Sequence, residues 1–399
     1  MHVLAVIAPG QGSQKPGFLT PWLDLPGTES RLRWWSALTG LDLVYLGTEA
    51  VADEVKDTAK TQPLLVAAGL LAAAELPLYD VPVVAGHSVG ELTAAALSGV
   101  LTDESAVTLA AVRGREMAAA CALEPTGMSA VLGGDPDEVL ARLDTYGLHP
   151  ANRNGAGQVV AAGALSGLEK LSGDPPAKAR IIPLQVAGAF HTPYMKPAEQ
   201  ALEAIAAGIT TRDPSRIVLS NADGAAAGSG SDLLQRLVRQ VTAPVRWDLC
   251  MASLADLGVT GLIELPPAGT LAGLAKRGMK GASGGPEIVT LNTPDDLPTA
   301  IELIARHGAP AHIVPEPAVH FRVAVSTAAG NFSPADIAEG ASVTAGQVIG
   351  QVVTRRGAED VAATADGVLV EWLVHAEDPV SAGTPLARLS YPDATGGER

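Results

Sequence analysis

The sequence predicts an α/β protein built around a mostly parallel sheet, with a small α+β insertion and an all-β unit towards its C-terminal end. Three observations carry that prediction. Short apolar runs alternate with helical stretches over most of the chain, the pattern of strands buried on both faces. Between Met128 and Val186 the texture shifts to closely spaced strands with two short helices. Beyond Pro310 a seven-residue pattern recurs at a fixed interval, which marks two similar halves of one small unit.

Taken in order, Val3 to Ala8 is a short apolar run ending in Pro9-Gly10, so it reads as a buried strand. Thr61 to Glu75 reads as a helix, Val81 to Ala85 as a second buried strand, and Glu91 to Ser98 as a helix that follows at once. Ser105 to Ala120 continues helical. In the insertion, about 122–186, Met128–Leu132, Gln158–Ala162 and Arg180–Leu184 read as strands, with helices at Pro136–Tyr146 and Gly167–Leu171. That order, β-α-β followed by α-β, is ferredoxin-like. The α/β texture returns with strands Ile217–Ser220 and Gly261–Leu265, the helix Leu271–Arg277 and a closing helix Leu297–His307. Residues 1–309 therefore form one unit, 310–318 a proline-punctuated linker, 319–390 the β unit and 391–399 a tail.

Composition excludes several classes. A net charge of −16 argues against nucleic acid as a partner, because phosphate neutralisation needs clustered Lys and Arg. It leaves room for a small anionic substrate, since one placed Arg can grip a carboxylate. The two cysteines, Cys121 and Cys250, make neither a disulfide framework nor a paired metal spacing. That predicts a reducing, cytoplasmic setting and no metal. Met1-His-Val-Leu-Ala-Val-Ile-Ala lacks a basic segment and reads as a first strand, not a signal peptide. The apolar stretch Leu64–Leu78 carries Glu75 and falls short of the ~20 residues that span a bilayer. A soluble protein with no membrane partner is expected.

The most informative stretch is Val83-Val-Ala-Gly86-His87-Ser88-Val89-Gly90-Glu91. A Gly-x-Ser-x-Gly between a buried strand and a helix is a nucleophile elbow. Side chains at Gly86 and Gly90 would collide with the neighbouring strand and helix, whereas glycine lets the turn expose the Ser88 hydroxyl. The same turn aims backbone N–H groups, that of Val89 among them, at a developing oxyanion. A serine also needs a base, usually His. His87 adjoins Ser88, but adjacent residues in such a turn diverge, so its ring is expected to pack or hydrogen-bond nearby. His191 ends a strand in Val186-Ala-Gly-Ala-Phe-His191-Thr-Pro; read alone, a histidine there is more often structural than catalytic.

Several segments in fixed order change that reading. Pro9-Gly10-Gln11-Gly12-Ser13-Gln14, Thr61-Gln62-Pro63, Gly86-His-Ser-Val-Gly90, Arg113-Gly114-Arg-Glu-Met117 and Gly188-Ala-Phe190-His191 together resemble the malonyl-CoA:acyl-carrier-protein transacylases. Asn152-Arg-Asn154-Gly-Ala-Gly157-Gln158, Ser220-Asn221 and Gln240-Val-Thr-Ala-Pro244-Val-Arg-Trp247 extend the resemblance over roughly residues 1–305.

That resemblance implies an α/β-hydrolase-like core and transfer of malonyl from malonyl-CoA to holo acyl carrier protein, for fatty-acid or polyketide synthesis, without a cofactor. It implies Ser88 as nucleophile, His191 as general base, and the N–H groups of Gln11 and Val89 as the oxyanion hole. The histidine would be oriented by the main-chain carbonyl of Gln240, so no acidic third member is required. Arg113 matches the arginine that grips the malonyl carboxylate, through a fork Lys cannot mimic. Phe190 would fill the space an α-methyl group needs and so favour malonyl over methylmalonyl. Gln62, His87, Met117, Asn154 and Gln158 fall at substrate-side positions. Glu264-Leu-Pro-Pro-Ala-Gly-Thr departs from the Gly-Pro usual in the family, at a place expected to touch no residue of the chemistry. Two rivals stay open: a serine thioesterase or hydrolase acting on acyl-CoA, and a non-catalytic scaffold of a synthase complex.

In the C-terminal unit, Val343-Thr-Ala-Gly346-Gln-Val-Ile349 recurs as Val380-Ser-Ala-Gly383-Thr-Pro-Leu386, and Gly330 and Phe332 recur as Gly367 and Leu369. With Ala365-Asp-Gly367, this resembles a biotinyl/lipoyl-like sandwich. The family's cofactor-bearing lysine would fall at Arg356, and no Lys occurs after Lys280. Guanidinium cannot form the required amide, so a structural or protein-docking role is expected. Avidin and anti-lipoate blots of the native protein should both be negative; a band in either contradicts this.

Overall fold

The computed structural model describes residues 2–280, 284–308, 320–354, 357–363 and 366–391. It divides into two compact units, Met1–Ile313 and Val314–Arg399. The expected linker at 310–318, the tail beyond 391 and the positions Arg356 and Ala365 lie outside the described residues.

The first unit contains the strands β1 (Val3–Ala8), β2 (Val83–Gly86), β3 (Thr126–Gly133), β4 (His149–Gly155), β5 (Gln158–Ala164), β6 (Ala179–Pro183), β7 (Ile217–Leu219), β8 (Val259–Glu264) and β9 (Glu287–Thr290). The main sheet runs β7-β2-β1-β8-β9 with every neighbouring pair parallel. Strands covered on both faces should be apolar throughout, and β1 is VLAVIA. Its side chains divide by alternation. Leu4, Val6 and Ala8 join the larger core with the helices Thr58–Ala74 and Asp103–Cys121, whereas Ala5 and Ile7 meet the helices Trp247–Asp256 and Thr270–Gly278. Leu, Val and Ala fill most of both layers, with Trp22, Trp35 and Trp247 fully buried.

The insertion is an antiparallel sheet in the order β4-β5-β3-β6. With the helices Pro136–Thr145 and Leu165–Gly173 this gives the βαββαβ ferredoxin-like arrangement. Sequence reading had no strand at β4, because HPANRNG offers little apolar alternation. Its reason lies in the tertiary structure. One face of this sheet packs its helices through Val131, Val139, Leu143, Ala161 and Leu171. The other face, with Met128, Asn152, Asn154 and Val160, lines a cleft, so polar residues there are not solvent-facing errors.

Helix boundaries follow caps that a periodicity search passes over. The helix read from Thr61 starts at Thr58, where the Asp57 side chain accepts the Ala59 N–H at 3.0 Å. The one read from Ser105 starts at Asp103, with the Thr102 hydroxyl accepting the Ser105 N–H at 3.1 Å. Such caps each contribute about 1 kcal/mol. No helix among the described residues is long and apolar enough to cross a membrane.

The second unit is all-β: β10 (His320–Val325), β11 (Gly330–Pro334), β12 (Ser342–Val343), β13 (Val348–Thr354), β14 (Gly357–Ala362), β15 (Gly367–Trp372), β16 (Pro379–Val380) and β17 (Pro385–Tyr391). They form two antiparallel sheets, β10-β17-β15-β12 and β14-β13-β11-β16. Each strand of the first half starts thirty-seven residues before its counterpart in the second, and exchanging the halves converts one sheet order into the other. Equivalent positions carry equivalent loads. Phe332 and Leu369 are both fully buried, as are Ile349 and Leu386, and Gly346 and Gly383 both turn with positive φ. The unit is therefore one pattern used twice around a single core.

Candidate active site

β2 ends at Gly86 and the helix Gly90–Leu97 begins at Gly90, so the chain reverses within His87, Ser88 and Val89. Ser88 adopts φ 53°, a left-handed conformation that costs a non-glycine residue about 1–3 kcal/mol. Its flanking glycines are obligatory. A Cβ on Gly86 would run into the backbone of Gly90 and Glu91, and one on Gly90 into the carbonyls of Ala8 and Pro9. Asn221, just past β7, pins the turn from the side. Its Oδ1 accepts the Ser88 N–H at 2.8 Å and its Nδ2 donates to the Gly86 carbonyl at 2.7 Å.

His191 sits in the loop after β6 and also has a left-handed backbone, φ 60°. Although 103 positions separate them, its Nε2 lies 2.7 Å from Ser88 Oγ. On the far side of the ring, Nδ1 is 2.7 Å from the main-chain carbonyl of Gln240. A carbonyl accepts only, so Nδ1 carries the proton and Nε2 is left as the acceptor facing the serine. Burial first, and then the charge of Arg113, push the His191 pKa down to about 3. The ring is neutral at physiological pH.

Arg113 projects from the helix Asp103–Cys121 and is almost wholly buried. Nη1 donates to Gln62 Oε1 at 2.6 Å; Nη2 donates to Gln240 Oε1 at 2.8 Å and lies 3.4 Å from Ser88 Oγ. Gly114 makes this possible, since a Cβ there would stand 2.6 Å from the Thr58 carbonyl and push away the helix that carries Gln62. Burial lowers the Arg113 pKa to about 10, which still leaves a full positive charge beside the hydroxyl at neutral pH.

The cleft has a volume of about 270 Å³ and is lined by Gln11, His87, Ser88, Asn154, Gln158, Phe190 and His191, among others. The His87 ring turns away from the serine, with Nε2 2.9 Å from Asn154 Oδ1 and its edge against Trp247. Gln11 follows the end of β1, beside the end of β2, its side chain 3.4 Å from Gln62 Nε2. Among the described residues, neither the Gln11 nor the Val89 N–H has an acceptor. The Val89 side chain is buried in the core. Gln62 and Met117 stand behind the cleft rather than on its wall: Met117 Sδ is 3.5 Å from Gln62 Nε2.

Three features escaped sequence reading. Asn221 was visible only as part of a motif, with no sign that it braces the turn. Glu91 looked like an ordinary first-turn helix acid, yet it is buried. The segment after Glu264 reaches the cleft wall, which the sequence reading did not foresee. The Glu264 carboxylate accepts the N–H groups of Gly269, Leu271 and Ala272 at 2.8–2.9 Å, and the helix it caps lends Thr270, Leu271 and Leu274 to the wall. An acid closing an apolar run just before Leu265-Pro266-Pro267 was the available signal.

Comparison with known proteins agrees with this geometry. Residues 7–296 match the acyl transferase domain family. The malonyl CoA-acyl carrier protein transacylase of Mycobacterium tuberculosis is 56% identical over 284 residues, covering 70% of this chain and 94% of the relative. The crystal structure of MCAT from the same organism superposes with a TM-score of 0.72 at 54% identity, over 75% of this chain and all of that one. A malonyl-transacylase solved in complex with its type II polyketide acyl-carrier protein gives 0.70 at 30% identity, over 75% of this chain and 99% of the other. The chain belongs to the malonyl-CoA–acyl carrier protein transacylase family and is an acyltransferase.

Proposed function

We propose that this protein transfers a malonyl group from malonyl-CoA to the phosphopantetheine thiol of holo acyl carrier protein through an acyl-enzyme on Ser88. The observation that carries the reading is one hydroxyl within hydrogen-bonding distance of a neutral, oriented imidazole and beside a buried guanidinium.

Malonyl-CoA binds with its free carboxylate on Arg113, where two parallel hydrogen bonds are available to a fork geometry. Ser88 Oγ attacks the thioester carbon while His191 Nε2 takes its proton. The N–H groups of Gln11 and Val89 receive the oxyanion. As the tetrahedral adduct collapses, the carbon–sulfur bond breaks and His191 returns the proton to the departing CoA thiolate. In the second half the carrier thiol attacks the serine ester, His191 takes the thiol proton, and Ser88 Oγ leaves with that proton. This is ping-pong transfer, and it supplies malonyl-carrier for fatty-acid or polyketide synthesis.

The low basicity of His191 fits this order of events. Arg113 is the second cause of its depression, and a carboxylate seated on Arg113 would cancel that charge. The correct acyl group thus raises the basicity of the residue that must deprotonate Ser88.

We propose further that the β unit serves as a structural or docking module appended to the acyltransferase unit. Its support is the absence of lysine beyond Lys280.

Intact-mass measurement after incubation with malonyl-CoA should show one added malonyl group, and Ser88→Ala should show none; an adduct on that variant removes Ser88 from the mechanism. Arg113→Ala should lower malonyl transfer roughly a hundredfold or more relative to acetyl transfer. Equal losses for both donors would deny Arg113 its selective role. Inactivation by a neutral fluorophosphonate probe should vary little between about pH 5 and about pH 8, because His191 stays unprotonated throughout. A rate that falls with protonation near the ordinary histidine value would show that His191 titrates normally.

A further inference from the structure

Arg113 is a buried cation that, among the described residues, touches no carboxylate. Its partners are two side-chain amides, Gln62 and Gln240, both presenting oxygen. A guanidinium only donates, so it takes the oxygen of each amide, and the Gln240 nitrogen then needs an acceptor of its own at the other end. A buried group must supply it.

That group is Glu91, one residue into the helix after the elbow. Its two oxygens have separate tasks. Oε1 accepts the main-chain N–H of Asn221 at 3.1 Å, and Oε2 accepts Gln240 Nε2 at 2.5 Å. The same Nε2 lies 3.2 Å from the Ser88 carbonyl and from Asn221 Oδ1, so everything around that nitrogen is an acceptor. The Ser220 hydroxyl donates to the carboxylate as well. An ionised carboxylate accepts at both oxygens; an amide must turn its nitrogen, and a protonated carboxyl its hydroxyl oxygen, towards either Asn221 N–H or Gln240. Either choice sets donor against donor in a buried site, where an unsatisfied or opposed polar group is costly.

We propose that Glu91 is a positioning residue for acyl selectivity: by holding the Gln240 amide in one orientation, it fixes the Arg113 guanidinium for a substrate carboxylate. The inference rests on the reading of Arg113 given above and adds the device that keeps it aimed. Gln240 then has two roles. Its main-chain carbonyl orients His191 and its side chain orients Arg113, so one residue registers the base and the carboxylate grip against each other. Glu91 also supplies the nearest opposite charge to Arg113, with the Gln240 amide between them.

Protonation of Glu91 should have the same effect as replacing it. Burial raises its carboxyl to about 7. Around it stand Arg113 from the helix Asp103–Cys121, the Ser220 hydroxyl just past β7, and Cys250 from the helix Trp247–Asp256, whose thiol burial pushes well up; His191, on the far side of Gln240, is held neutral by burial and Arg113. Because its folded pKa is raised, the acceptor state is present above about pH 7 and is lost as the pH falls through that value. The phosphates of CoA are common to malonyl and acetyl donors and cancel in a ratio of the two; a pH slope that came from His191 would persist in Glu91→Gln, whereas one that comes from Glu91 would not.

The test compares kcat/KM for malonyl-CoA and acetyl-CoA, with holo acyl carrier protein as acceptor, in the full chain and in Glu91→Gln, Arg113→Ala and the double variant. Glu91→Gln should lower the malonyl-over-acetyl ratio roughly tenfold or more. In the Arg113→Ala background the same change should lower it no further. In the unmodified protein the ratio should fall as the pH drops through about 7, and in Arg113→Ala it should be flat. An undiminished ratio in Glu91→Gln, or a further loss in the double variant, overturns the proposal. Should Glu91→Gln not fold, the pH series on the unmodified protein decides, and a flat ratio overturns it. If Arg113→Ala leaves the ratio unchanged, it is the reading of Arg113 that fails.

Discussion

The turn at Ser88 is the constraint on which the rest of the site depends. A strand that ends at Gly86 and a helix that starts at Gly90 leave three residues to reverse direction, and the reversal is possible only where backbones touch without intervening side chains. The strained φ of Ser88 is paid for by the packing of β1, β2 and the helix, and by Asn221 bridging both sides of the bend. From that turn follow the exposed hydroxyl, the Val89 N–H without an acceptor among the described residues, and the place where every other functional group must arrive. A parallel sheet suits this task because its strand ends open onto one edge. Gln11 and Ser88 reach the cleft from adjacent strands for that reason.

Around the turn, a compact set of polar groups is removed from water: Gln62, Glu91, Arg113, His191, Asn221 and Gln240 are all buried. Burying ions and amides is unfavourable unless each is matched. Here the matching is nearly complete and runs through Gln240, which contacts Arg113, Glu91 and Ser88 with its side chain and His191 with its backbone. Among the described residues no carboxylate sits directly on the guanidinium, which leaves its fork free for the role proposed above. Burial, with the charge of Arg113 beside it, also keeps His191 weakly basic.

The appended sandwich follows a different principle. Two copies of one pattern, each too small to bury its apolar face alone, share a single core with Phe332 and Leu369 at equivalent buried places. Its stability requires no residue from the chemistry, and its repeat could be counted before any coordinates. That is why the β unit was legible in outline as two similar halves, although its individual strands, short and with little signature of their own, were not.

What the sequence determined by itself was whatever is local or periodic: the apolar runs of the main sheet, the glycine-bracketed serine, the repeat and the absence of lysine beyond Lys280. The ordered motifs also named Ser88, His191, Arg113 and Gln240 as a set. Tertiary structure alone decided what depends on distance. It brought His191 to 2.7 Å from Ser88 and turned HPANRNG into a strand with asparagines over a cleft. It also made buried partners of Glu91 and Asn221, and carried the Glu264 segment to the cleft wall. The physical reason is that burial and hydrogen-bond partnership belong to pairs of residues far apart in the chain, whereas turn sterics and hydrophobic period belong to neighbours.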